Sequence, residues 1–389
     1  MPGTKRHFPL PMPSGPNCRL ATRRGAFALL LVAMGALLIG GRGSVRAGTP
    51  DHAPDDPETL IQGGHWKRAR AILEPQVKSH PQDARGSYLL AKAKMAFQDL
   101  DGALPLAQHA VELNGNNPDF HLNLGRVYGQ MAARASMFSA GPLAIKFRKE
   151  VETAIRLDPG NLDALDSMML FKYQAPYLMG GDKDEARTLA KKITLLDASV
   201  GNVAHAELAG LDKNAGQQEA YLLKAVQANP RNYTALTALA KLYSQSSVAK
   251  YDEAVKQAGA AAQLDPRQIS AYWILARVYA YQQRWNDLDQ VLASSLKAIP
   301  DDLRPFYEAA QALWETGRDL PRAERYAKQY LLQEPEGEEP DVAEAHHLLG
   351  LLYEKEGRKA EARGELQTAL RARPNFKVAK EDLKRLSGG

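Results

Sequence analysis

One phrase returns nine times along this chain: the apolar end of a helix, then proline or a substitute, then a polar turn. It reads KSHPQD, ELNGNN, RLDPGN, LLDASVGN, QANPRN, QLDPRQ, KAIPDD, LQEPEG and RARPNF, anchored at Pro81, Gly115, Pro159, Ala198, Pro230, Pro266, Pro300, Pro335 and Pro374. Successive anchors are 34, 44, 39, 32, 36, 34, 35 and 39 residues apart. Proline stops a helix because it lacks an N–H and clashes with the preceding turn. Each interval therefore holds one supersecondary unit, too small to bury its own apolar face and obliged to stack on its neighbours.

The interior of each interval is equally regular. The stretch AYWILARVYAYQQRWNDLDQVLASSLKAIP places Tyr272, Leu275, Ala276, Tyr279 and Pro300 at the positions of the tetratricopeptide repeat, whose period is 34 residues. HLNLGRVY supplies Leu124, Gly125 and Tyr128; ALTALAKLY supplies Leu239, Ala240 and Tyr243, followed by Ala254 and Ala261. HHLLGLLYEKEGRKAEA supplies Leu349, Gly350, Tyr353, Gly357 and Ala362. Resemblance to that repeat implies an all-α fold: a right-handed superhelical solenoid of about nine pairs of helices A and B over residues 55–386. Its first repeat is degenerate, with helix A reduced to PETLIQ, and a helix over 376–386 should cap the far end through Val378, Leu383 and Leu386. Over the same span, the chain resembles exported bacterial tetratricopeptide proteins that share QAP…GGDKDEA and EGEEPDVAEAHHLLGLLYEKEGRKAEA. That resemblance implies an envelope location and a binding role, and brings no reaction with it.

Residues 1–47 read as a secretory signal, with Arg19, Arg23 and Arg24 before the apolar run Ala26 to Gly40 and a small-residue site ending at Ala47. The alternative is an uncleaved inner-membrane anchor; the run is short for a span. Residues 48–54 are a linker, and the expected location is periplasmic. Seven of the 50 basic residues and none of the 45 acidic ones lie in 1–47, which leaves 43 against 45 and a net charge of −2 instead of +5. The basic balance thus belongs to the leader and gives no support to nucleic-acid binding. Cys18, the only cysteine, precedes the apolar run, which excludes disulfides, thiol nucleophiles and cysteine-ligated metals from the mature chain.

Three intervals exceed the period. The first two place extra residues between helices A and B, in ARASMFSAGPLAIK and in YQAPYLMGGDKDEA; the third places them in EGEEP, between repeats on the opposite edge. In the second, Pro176 should end helix A, Gly180 and Gly181 permit the turn, and Asp182 cap helix B, with Glu185 completing a capping box. Met137, Phe138, Tyr177, Leu178 and Met179 need cover, which the two loops could give each other unless they form a binding face. GGDK lacks the strand and glycine spacing of a phosphate loop. His346 and His347 are adjacent on a helix, one at a packing position and one facing the groove, and do not form a metal pair. No motif in the chain calls for a catalytic residue, a metal or another cofactor.

Function should lie in the concave groove lined by the A helices. Groove positions there carry Tyr88, Lys92, Arg126, Tyr173, Trp273, Arg277, Arg304, Tyr307 and Trp314. Aromatic and arginine side chains suit an extended or helical segment of another protein, including an acidic tail. The competing reading packs them between adjacent A helices. The lysine and asparagine of the carboxylate clamp are absent, since its two positions carry Tyr88 and Leu122, and Lys92 and Arg126. The expected function is a non-catalytic scaffold; the alternative is an accessory of envelope glycan assembly whose groove holds carbohydrate.

Overall fold

The computed structural model describes residues 56–337 and 340–387; the expected signal and linker lie outside them. The repeated phrase punctuates in both directions. Its proline ends one helix, and the Asp or Asn behind it starts the next, accepting a hydrogen bond from a first-turn N–H. Asp83 does this for Gly86, Asn161 for Ala164 and Asn232 for Ala235, at 2.8–3.1 Å. The result is helices throughout the described residues, with no strand.

Among the described residues nineteen α-helices form nine pairs and a terminal one. They are α1 (Pro57–Gly63) with α2 (Trp66–Ser79), α3 (Ala84–Ala96) with α4 (Leu100–Leu113), and α5 (Pro118–Arg134) with α6 (Met137–Leu157). Then come α7 (Leu162–Gln174) with α8 (Lys183–Leu196), α9 (Ala198–Leu211) with α10 (Ala215–Ala228), and α11 (Tyr233–Ser244) with α12 (Tyr251–Leu264). The last pairs are α13 (Ile269–Gln282) with α14 (Trp285–Ala298), α15 (Arg304–Thr316) with α16 (Leu320–Tyr330), and α17 (Val342–Lys355) with α18 (Lys359–Ala372), followed by α19 (Lys377–Ser387). Small residues bring the two helices of a pair together. A Cβ on Gly125 would lie 2.9 Å from Val151 Cγ2, and one on Gly350 3.0 Å from Leu366 Cγ. At the far end Leu386 and Ala379 are buried against the last pair; Val378 is exposed and does not share in the cap as expected.

Eight anchors stand two residues beyond the end of a B helix, and Pro335 stands five beyond. Two junctions differ from the rest. Ala198 is already the first residue of α9, so α8 and α9 join without a turn and Asp197 caps both, accepting from the Val200 N–H at 2.9 Å. This abrupt junction presses Gly201 against the backbone of Thr194. Pro335 lies farther out because α16 ends early, leaving an irregular segment before α17.

That segment closes the superhelix. The backbone N–H of Lys67, on α2, donates to Glu336 Oε1 at 2.6 Å. Lys67 Nζ donates to the carbonyls of Asp301 and Glu334 at 2.7 and 2.6 Å. Arg68 pairs with Asp301 at 2.9 Å and Arg70 with Glu334 at 3.2 Å. The first pair thus rests on the turns that follow the seventh and eighth, one superhelical turn away. Glu336 is buried, and its Oε2 sits 3.3 Å from Lys67 Nζ without hydrogen-bonding geometry. Burial, opposed by the Lys67 N–H and ammonium, pushes its carboxyl up to about 7.

The long intervals resolve differently from expectation. ARASMFSAGPLAIK is not a loop: Ser136 caps α6, a helix of 21 residues, so the extra length projects as added helical turns. In the second interval α7 stops before Pro176, a 3-10 turn spans Tyr177–Met179, and Asp182 caps α8 by accepting from Asp184 and Glu185 N–H at 2.9 and 3.0 Å. Gly180 has φ 95°, and a Cβ on Gly181 would fall 1.8 Å from the Ala175 carbonyl oxygen, so both glycines are required. The capping box does not form, because Glu185 pairs with Lys172 at 2.7 Å and the Asp182 N–H donates to the Lys172 carbonyl. Nor do the two insertions cover each other: Phe138, Tyr177 and Leu178 are 89%, 87% and 96% exposed. Replacing Asp182 by alanine should lower the urea midpoint, because two first-turn N–H groups lose their acceptor, whereas Glu185→Ala should lower it less because a half-exposed ion pair contributes little.

Candidate functional site

The residues expected in the groove form a ladder between successive A helices. Tyr88 on α3 meets Phe120 on α5 at a ring distance of 5.1 Å, with Lys92 over the Tyr88 ring at 5.4 Å. Arg126 on α5 reaches Ser167 and Asp163 on α7, at 3.3 and 3.7 Å. The Tyr173 hydroxyl on α7 donates to Asp212 beyond α9; burial and that acceptor push it up to about 12. Lys241 on α11 lies 5.8 Å from the Trp273 ring on α13. Arg277 on α13 pairs with Glu308 and Glu315 on α15, at 2.8 and 3.1 Å. Trp314 on α15 lies under the Lys355 ammonium of α17, which donates to its carbonyl. Six of the nine residues therefore bridge neighbouring A helices.

The remaining groove residues have other partners. Arg304 is held by Asp302 in its own turn, with Nε–Oδ2 2.8 Å, and Tyr307 packs on Tyr330 of its own pair at 5.3 Å. The arginines expected to pair with a partner's carboxylates are already neutralised internally. The histidines are engaged as well. His346 is half-buried and pairs with Glu365 at 2.6 Å, and His347 binds Asp382 on α19 at 2.7 Å, beside Phe376. Each turns to a different carboxylate, and among the described residues no three metal-ligating side chains converge.

An open cleft of about 740 Å³ lies at the A–B edge of the sixth to ninth pairs. Arg277, Tyr281, Trp314 and Lys355 line it, together with Tyr251 and the loop at Ser246–Ser247. Tyr251 and Tyr281 stack at 5.4 Å with 16° between their planes, and the Tyr281 hydroxyl donates to Glu315. Arg277 also donates to the Tyr281 hydroxyl at 3.0 Å. Tyr251, Tyr281, Glu315 and Lys355 were not among the groove residues read from the sequence. Tyr281 could have been found, since it follows Arg277 by four places on the same helix.

A family model for the tetratricopeptide repeat matches residues 58–119 and 307–375, the two ends of this row of helix pairs. The fold is a tetratricopeptide-repeat solenoid. Among solved structures the solenoid is similar to yeast Tom70 at 12% identity, over 94% of this chain and 88% of that one, with a TM-score of 0.47. It is also similar to a tetratricopeptide repeat protein of Parabacteroides merdae, at 16% identity over 67% and 98% of the two chains, TM-score 0.45. A thermophilic tetratricopeptide repeat protein of Thermus thermophilus gives 19% identity over 48% and 94%, TM-score 0.42. No curated protein matches the solenoid in sequence.

Proposed function

We propose that this solenoid is a protein-binding scaffold of the bacterial envelope that takes a partner segment in the cleft between the sixth and ninth pairs. Tetratricopeptide repeats generally mediate protein–protein interaction, and the envelope location follows from the leader read in residues 1–47. The observation that carries the reading is the cleft itself, with aromatic walls and charges of both signs within one opening. Arg277 is engaged by Glu308 and Glu315; the other cation of the cleft, exposed Lys355, has no carboxylate partner among the described residues and rests on Trp314. The suited partner is an extended segment with apolar side chains and a single acidic one, not a long acidic tail. A glycan would need open ring faces to stack on. Tyr251 and Tyr281 face each other and Trp314 lies under Lys355, which favours the peptide.

A photo-crosslinking residue placed at exposed Ser247, in the full chain and in cells, is expected to give one discrete adduct. Lys355→Glu, a surface change, should abolish that adduct while leaving the unfolding midpoint within about 0.5 kcal/mol of the parent. An adduct that survives Lys355→Glu and Trp314→Ala would place binding elsewhere.

A further inference from the structure

We propose that the A–B edge of the third and fourth pairs is a docking surface for anionic lipid. Four large apolar side chains stand there uncovered: Phe138 and Ile145 on the projecting part of α6, and Tyr177 and Leu178 on the neighbouring 3-10 turn. The turn packs on α6, where Gly180 abuts the Arg148 guanidinium, so both tips belong to one surface. Phe138 and Ile145 are seven residues apart and share one face of the helix with Lys149, eleven residues on. Contiguous exposed apolar side chains of this size mark an interaction surface.

Charge selects the occupant. Between Asp119 and Glu150 the chain carries five Arg or Lys and no acidic residue, and between Asp166 and Asp182 it carries Lys172 and none. Lys146 and Lys149 are exposed beside the apolar tips. The acids just below the turn are engaged: Asp182 by the first N–H groups of α8, Asp184 by Arg187 and Glu185 by Lys172. An apolar tip rimmed by lysines is the arrangement by which a peripheral protein enters the boundary between headgroups and acyl chains. The four side chains stand on two projecting tips, a shape to which a fluid bilayer conforms. Among the described residues no helix is long and apolar enough to cross a membrane, and the contact is one of surface insertion.

The test uses the full chain with Cys18→Ser and one new cysteine bearing an environment-sensitive fluorophore, either Leu178→Cys or, on the inter-repeat edge, Leu332→Cys. Vesicles contain phosphatidylcholine with or without phosphatidylglycerol, and doxyl-labelled lipids act as quenchers. The label at 178 is expected to shift to shorter wavelength and be quenched only on phosphatidylglycerol vesicles, while the label at 332 stays unquenched. Paired changes Lys146→Ala and Lys149→Ala should weaken that partition roughly 30-fold, since each cation near an anionic surface is worth about 1 kcal/mol. A label at 178 that is never quenched would return this edge to a protein partner or to solvent. Equal quenching at 178 and 332 would assign any membrane contact to another part of the chain, and quenching unchanged by the lysine substitutions would remove the selection for anionic lipid.

Discussion

Replacing Gly201 by alanine is expected to destabilise the solenoid by about 3 kcal/mol or more, the upper range for overpacking a rigid contact. A Cβ there would sit 2.2 Å from Thr194 Cα and 2.4 Å from its nitrogen, and backbone cannot move aside as a flexible side chain can. Because Asp197 caps both α8 and α9, no intervening residue can absorb the shift. The damage should fall at the junction of the fourth and fifth pairs, giving faster amide exchange over 183–211 and a broadened or split unfolding transition, since a stacked array is cooperative only through its neighbour contacts. The same substitution at Gly259, whose Cβ would meet nothing within 4 Å, should stabilise α12 by about 0.5–1 kcal/mol. Equal behaviour of the two variants would mean that α8 and α9 do not approach as described.

The second large effect concerns the closure of the superhelix. Glu336 is buried among Lys67 of the first pair, Asp301 and Asp302 of the turn after the seventh, and Arg304 of α15. Its carboxyl is pushed up to about 7 when buried and returns to the ordinary glutamate value of 4.5 when the contact opens. The closed form therefore binds more protons between those values, so closure is strongest at acid pH and weakens as pH rises through 7. The loss is at most roughly 3 kcal/mol. Asp301 does not oppose this. Burial raises it, but His65 and Arg68 more than compensate and hold it at about 2, so it stays ionised throughout. Amide exchange over 57–79, corrected for its intrinsic pH dependence, should be slower at pH 5.5 than at pH 8. Glu336→Gln should reduce that pH difference, and Lys67→Glu should open the contact at both. Protection that rises with pH would contradict the burial of Glu336.

The helix pairs were legible in the sequence because their signals are local. A proline two residues past a helix end and an Asn or Asp before the next act within one turn of chain, and Gly125 and Gly350 reveal close approach by their size alone. The added turns of α6 were not legible because an interval count shows extra residues without showing whether they coil, and the segment contains Pro142. A proline so near the start of a helix displaces few hydrogen bonds, and Ser136 caps the segment regardless. The ladder from Arg277 to Glu308 and Glu315 depends on how far one A helix is rotated against the next, which spacing alone does not determine. The meeting of Lys67 with Glu336 depends on that rotation summed over seven pairs, and no pattern within a single repeat reports it.

An open row of repeats has two frayed ends and can begin to fold at either. Here the first pair is held by residues 233–269 positions later in the chain, which turns the nearest-neighbour array into a loop. During synthesis at roughly 5–20 residues per second, α2 emerges about 10–50 s before the segment that will cover it. For that interval Trp66, Lys67 and Arg68 belong to a partly built structure that has no mate for them. Once the contact forms, the earliest segment made is no longer the easiest to unravel.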